Sequence, residues 1–189
     1  MKALILDGSK KEDNAFNTII DNITNFLKER NIQVETINLG GLDISSCQGC
    51  FDCWIKTPGI CIIDDIGRII TMKMVQNDLL ILLTPITFGG YSSELKKALD
   101  RMIPNILPFY TKIGGEIHHS PRYDKYPIII GIGLLTSPDQ ESEAIFSTLV
   151  ERNSINFYSE KYSSVVIYSN DSLESIHEKM AKVLVEASE

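Results

Sequence analysis

The chain has 189 residues, a formal net charge of −7, 43% hydrophobic and 23% charged residues, and four cysteines. That length suits one domain over residues 1–189, and that balance excludes a disordered or fibrous chain. The acidic surplus and the scattered Lys and Arg argue against nucleic-acid and membrane-surface partners.

The first strand is expected at residues 2–6, where Ala3-Leu4-Ile5-Leu6 is too short for a signal peptide and stops at Asp7. The longest uncharged, mainly apolar run, 126–135, falls far short of the ~20 residues that span a bilayer. A cytoplasmic location is therefore expected, and with it reduced thiols rather than disulfides.

After Asp7-Gly8-Ser9, the residues Ala15, Phe16, Ile19, Ile20, Ile23, Phe26 and Leu27 recur at helical spacing. Residues 32–39 alternate and read as an edge strand. Residues 40–61 are irregular, with Gly40, Gly41, Gly49, Pro58 and Gly59. A second helix starts at Asp65. Residues 78–84, Asp-Leu-Leu-Ile-Leu-Leu-Thr, are apolar on both faces and predict a central parallel strand. Residues 92–103 are helical. Residues 104–126 read as a long loop without a period, of the kind that is often functional. A second doubly buried strand is expected at 127–135, a helix at 140–153, a strand at 165–168 and a last helix at 172–186.

Five strands alternating with five helices predict an α/β fold, a doubly wound five-stranded parallel sheet of order 2-1-3-4-5 with helices on both faces. In that order a ligand sits at the carboxyl ends of the first and third strands, the switch point.

Three segments carry chemistry at or beside that end of the sheet. Residues 7–14, Asp-Gly-Ser-Lys-Lys-Glu-Asp-Asn, lead into a helix N-terminus whose free N–H groups and dipole suit a phosphate; a plain capped turn accounts for them as well. Residues 84–93 hold two glycines among Pro85, Ile86, Thr87, Phe88 and Tyr91, which lets backbone approach a flat ring; alternatively Phe88 and Tyr91 only cover the sheet end. Cys47, Cys50, Cys53 and Cys61 have the spacing x2, x2, x7, so four thiolates can close on one centre, an iron–sulfur cluster or less often zinc; the other reading is thiols kept for packing. His118 and His119 lie in the long loop with Arg122 and serve either as scaffold or as contacts to an anionic nucleotide, while His177 reads as a solvated surface residue. A phosphoacceptor domain of the same topology would need a carboxylate at the end of the third strand, where Thr84 stands.

Together, Gly8-Ser9, the four cysteines, Asp64-Asp65, Pro85-Ile86-Thr87-Phe88-Gly89 and Leu95-Lys96…Asp100-Arg101 resemble the NADPH-dependent FMN reductase / iron–sulfur flavoprotein family of the flavodoxin-like fold. The likeness is best between Leu4 and Met102. It implies an FMN-binding oxidoreductase that moves hydride or electrons from NAD(P)H, as cosubstrate, to an unknown acceptor. The alternative it implies is an electron carrier between redox protein partners with a [4Fe–4S] cluster on Cys47, Cys50, Cys53 and Cys61. Ser9, Lys11 and Asn14 would then hold the phosphate, and Pro85, Ile86, Thr87, Phe88 and Gly89 would line the ring, with no catalytic side chain required. The chain departs from the family pattern at Lys10 and Lys11, which replace Pro and Arg; at Thr87, which replaces Tyr; and in a reduced third loop, residues 133–138. Modest FMN affinity is the expectation. Ile103, Ile106, Leu107, Phe109 and Tyr110 crowd the long loop, and a homodimer or tetramer is expected to cover them.

Overall fold

A computed structural model of the chain describes residues 1–10 and 14–188. Side chains 14–15 and 186–188 lie outside the description, as do Lys11 and its neighbours at 12 and 13. The strands of the main sheet are β1 (Lys2–Asp7), β2 (Gln33–Asn38), β3 (Leu79–Pro85), β6 (Ile128–Leu135) and β7 (Tyr162–Tyr168), all parallel, in the order β2-β1-β3-β6-β7. The helices are α1 (Asn14–Glu29), the short α2 (Asp52–Ile55), α3 (Ile66–Gln76), α4 (Ser93–Asp100), α5 (Gln140–Asn156) and α6 (Leu173–Ser188).

Central position follows from composition. Every residue from Leu79 to Thr84 is buried, so β3 needs a helical layer on each face. One layer is α1 with α6, whose Phe16, Ile23, Met180 and Val183 pack on Ile5, Ile81 and Ile132. The other is α3, α4 and α5, whose Ile70, Leu95 and Phe146 pack on Leu4, Leu82 and Ile129. β2 is half exposed and lies at an edge, as its alternating sequence predicts.

The long loop expected over 104–126 is corrected. It contains an antiparallel hairpin, β4 (Ile106–Ile113) and β5 (Glu116–Pro121), which forms its own two-stranded sheet. Gly114 and Gly115 turn it at φ of 55° and 94°, the left-handed pair that a two-residue hairpin turn requires. Because the hairpin stands apart, the main sheet keeps five parallel strands, while numbering along the chain reads 2-1-3-6-7 rather than 2-1-3-4-5. Helix α4 stops at Asp100, short of the expected 103, and a single 3-10 turn over Ile103–Asn105 carries Pro104.

Candidate functional site

The ends of β1 and β3 are joined by backbone and one hydroxyl. Gly8 N–H donates to Leu83 O at 2.8 Å, and Ser92 Oγ donates to Gly8 O at 2.7 Å. Ser92 also caps α4 by accepting from Leu95 N–H, and its own N–H donates to Thr84 Oγ1 at 2.9 Å. A Cβ on Gly8 would stand 2.6 Å from Ser92 Oγ and 2.8 Å from Leu95 Cβ, so only glycine lets the two loops close on each other.

Ser9 is buried at that junction. Its N–H donates to Asp7 Oδ1 at 2.9 Å, and Asn38 Nδ2 donates to both Asp7 Oδ2 and Ser9 Oγ. Lys11 lies outside the described residues; Asn14 is the first residue of α1, its side chain also outside them. Residues 85–90 are described throughout. Pro85 ends β3. Ile86 N–H donates to Leu134 O at 2.9 Å, and its side chain packs over Gly133. Thr87 and Gly90 exchange two backbone hydrogen bonds around Phe88 and Gly89, which sit at φ of 51° and 75°. Gly89 is buried against Ile145, whereas Phe88 at the tip is 100% exposed. A fully exposed aromatic in a left-handed conformation is a strained feature of the kind that marks ligand sites. A cavity of about 400 Å³ opens where the ends of β3, β6 and β7 meet α1, lined by Pro85, Leu134, Thr136, Tyr168 and Phe16 among others. Tyr91 serves the core instead: it is buried edge-on to Phe146, and its hydroxyl accepts from Asn153.

The four cysteines line one cavity between α2, the 61–63 segment and the end of α4. Cys47 and Cys50 are exposed, Cys61 is half-buried and Cys53 is buried. Burial, together with repulsion from Cys61, Cys47 and Cys50, pushes the Cys53 thiol up to about 11. Among the described residues, no three His, Cys, Asp or Glu side chains converge on a single metal ion.

The loop that carries the thiols has little secondary structure and is tied down from outside. Trp54 Nε1 donates to Ile103 O and Ile106 O, at 3.1 and 2.9 Å. Arg68 Nε donates to Cys61 O at 3.0 Å. Arg101, 1% exposed, grips Asp65 through Nη1–Oδ2 at 2.8 Å and Nη2–Oδ1 at 2.9 Å, and also donates to Ser45 O and Ile63 O. Asp65 in turn accepts from the N–H groups of Ser45 and Gly67, capping α3. Against the opposing effect of burial, the Arg101 hydrogen bonds and charge with the Ser45 N–H hold the Asp65 carboxyl down at about 2. Asp64 pairs on the surface with Arg68, and Lys96 with Asp100.

His118 and His119 take the scaffold reading. The His118 ring is buried, with Nδ1 3.0 Å from Asn156 Oδ1 and Nε2 3.3 Å from Glu116 Oε2. The His119 ring lies between Trp54 and Tyr110, each centroid 4.8 Å away, and Phe51 stacks on the outer side of Trp54. Arg122 is spent on Pro104 O and Ile106 O. His177 is exposed on α6, edge-on to Phe26. Of the crowded apolar residues, Ile106 is buried and Ile103 and Leu107 are half-buried, while Phe109 and Tyr110 stay 67% and 70% exposed. Sequence reasoning missed the Arg101–Asp65 clamp; the Asp-Asp and Asp-Arg pairs it noted were the only signal.

The chain is similar to several known proteins. An iron–sulfur flavoprotein of Methanocaldococcus jannaschii is 34% identical over 120 residues, 62% of this chain. The match spans 61% of that relative, and about half (53% and 46%) of two other curated iron–sulfur flavoproteins. Among solved structures, an NAD(P)H:quinone oxidoreductase from Methanothermobacter marburgensis superposes with a TM-score of 0.70 at 12% identity, over 99% of this chain and 95% of that one. An FMN-dependent NADH-azoreductase from Bacillus anthracis, solved with FMN, gives 0.62 at 15%, over 99% and 97%. These two share the flavodoxin-like fold. No helix among the described residues is long and apolar enough to cross a membrane. The model of one family, NADPH-dependent FMN reductase, matches residues 1–122, and the chain belongs to that family.

Proposed function

We propose that the protein is an FMN-binding oxidoreductase that takes hydride or electrons from NAD(P)H and delivers them to an acceptor. The observation that carries this reading is the junction at the switch point, where Gly8 bonds Leu83 and Ser92 at the two ends of the segment that presents the exposed, left-handed Phe88. Membership of the family supports it. Bound FMN would supply the hydride and electron chemistry. The chain's own part is binding: Ser9, Lys11, Asn14 and the N–H groups at the start of α1 hold the terminal phosphate, and the backbone of Pro85 to Gly89 with the Phe88 ring lines the flavin. Titration with FMN, FAD and riboflavin, followed by fluorescence quenching, tests this. FMN binds tightest, and Ser9→Ala with Lys11→Ala weakens it several-fold or more, since charge-assisted bonds are each worth ~1.5–3 kcal/mol. Riboflavin binding as tight as FMN overturns the phosphate assignment.

A second reading rests on the shared cavity of Cys47, Cys50, Cys53 and Cys61. A four-thiol donor set fits a [4Fe–4S] cluster. On this reading the protein carries electrons between redox partners in a reducing cytoplasm. Anaerobic reconstitution with iron and sulfide gives about four irons per chain, lost in Cys50→Ser; fewer than about one in wild type ends the reading. The exposed Phe109 and Tyr110 support a homodimer or tetramer, which light scattering that finds a monomer at micromolar concentration would contradict.

A further inference from the structure

The thiol cavity has a charged side chain in its wall, one that interacts with the Cys61 side chain. Arg101 is the one charged side chain among the described residues that line it. Its two terminal nitrogens are fully engaged with Ser45 O, Ile63 O and the Asp65 carboxylate. Its Nε–H is buried and has no acceptor. Only one other buried side-chain polar atom among the described residues shares that condition, Nδ1 of His119. Leaving such a donor unpaired is costly, and more so on a charged group. Native structures rarely leave such a group without a partner. The lining beside it is cysteines, Gln48, glycine, proline and apolar side chains, and the Cys61 side chain already interacts with the guanidinium, so the N–H lies at the sulfur side of the cavity.

We propose that Arg101 is the positioning residue of the four-cysteine centre, donating its Nε–H to a sulfur of the bound cluster and holding the cluster's reduction potential up with its charge. This rests on the cluster reading above. The division of labour follows from the guanidinium fork: the two Nη groups clamp Asp65, Ser45 and Ile63, and so hold both ends of the thiol loop, while Nε is left for the occupant. Lysine can supply the charge but cannot clamp and donate in this geometry. When one electron from dithionite enters the cluster, it adds one negative charge and no proton. A buried cation stabilises that more negative state, and hydrogen bonds to sulfur act in the same direction.

The test uses the full chain, reconstituted anaerobically, as wild type, Arg101→Lys, Arg101→Gln and Asp65→Asn. Iron per chain and the one-electron midpoint potential from dithionite titration are read for each, with far-UV circular dichroism to confirm folding. The potential falls in the order wild type, Arg101→Lys, Arg101→Gln. Asp65→Asn loosens the loop and takes up less iron, but its loaded fraction titrates no lower than wild type, which a purely structural role for Arg101 does not predict. A measurement on wild type alone covers the case in which the Arg101 variants take up no iron: with arginine labelled by ¹⁵N at Nε, the reduced cluster shows a hyperfine coupling to that nitrogen. Unchanged potentials in loaded variants, or no coupling in loaded wild type, overturn the role of Arg101 while the cluster stands. Wild type that takes up no iron overturns the cluster, and the role with it.

Discussion

The two halves of the site are held in opposite ways. The switch-point loops hang on sheet ends: Gly8 on Leu83, Ile86 on Leu134, Thr87 on Gly90, nearly all through backbone. The cysteine loop has only α2, four residues long, and its position depends on side chains reaching in from elsewhere: Arg101, Asp65, Trp54 and Arg68. A site built from backbone inherits its shape from the packed sheet and yields to changes of packing. A site built from a few buried polar anchors yields to the loss of one charge.

Removing one anchor therefore gives the largest effect. Asp65→Ala leaves the Arg101 guanidinium, whose side chain is fully buried, without its counter-charge, at a cost of about 3–5 kcal/mol. Urea unfolding measures the loss, and Trp54 fluorescence reports whether the loop lets go first. A variant within about 1 kcal/mol of wild type would mean that the clamp does not hold the loop.

On the other side of the comparison, Gly8→Ala drives a methyl group into Ser92 and Leu95 and costs about 1–3 kcal/mol by overpacking. FMN affinity drops with it, because the two loops can no longer close. Stability loss with unchanged FMN affinity would separate this junction from the flavin site.

How far each half could be read from sequence follows the same division. The doubly apolar runs at 78–84 and 127–135 and the alternating edge run placed the main sheet, because burial on both faces leaves a periodic mark. The hairpin left none: Phe109 and Tyr110 are exposed in succession and the pairing shifts register between Ile106 and Tyr110, so only Gly114-Gly115 betrayed it. The cysteine spacing was readable and the anchor was not. Arg101 and Asp65 lie 36 positions apart, and no local pattern tells a buried arginine from a solvated one. His118 and His119 likewise could not be told apart from ligand contacts until Asn156 and Trp54 were seen beside them.

Acid should loosen the cysteine half before the sheet. The Asp65 carboxyl falls from 3.8 to about 2 on folding. Its contribution is therefore complete above pH ~4 and fades as the pH drops through ~2, some ~2 kcal/mol in all. Trp54 fluorescence should change across that window while far-UV circular dichroism lags behind it. Coincident transitions would show that the two halves open as one unit.

The smallest effect runs the other way and probes what the exposed turn is for. Phe88 is fully exposed and held at φ of 51°, so its ring adds no burial to the fold while its backbone carries strain. A left-handed conformation costs a non-glycine residue roughly 1–2 kcal/mol, and glycine gives back roughly 0.5–1 kcal/mol through the greater freedom of its unfolded chain. Phe88→Gly should therefore stabilise the protein by up to ~1 kcal/mol, read as a small rise in the urea midpoint without a change in slope. The same variant should weaken FMN, because the aromatic face goes with the strain. A fold that gains stability while it loses flavin identifies Phe88 as a residue kept for the ligand at the expense of the chain. A variant that loses stability would mean that Phe88 makes a packing contribution, and the strain would then need another cause.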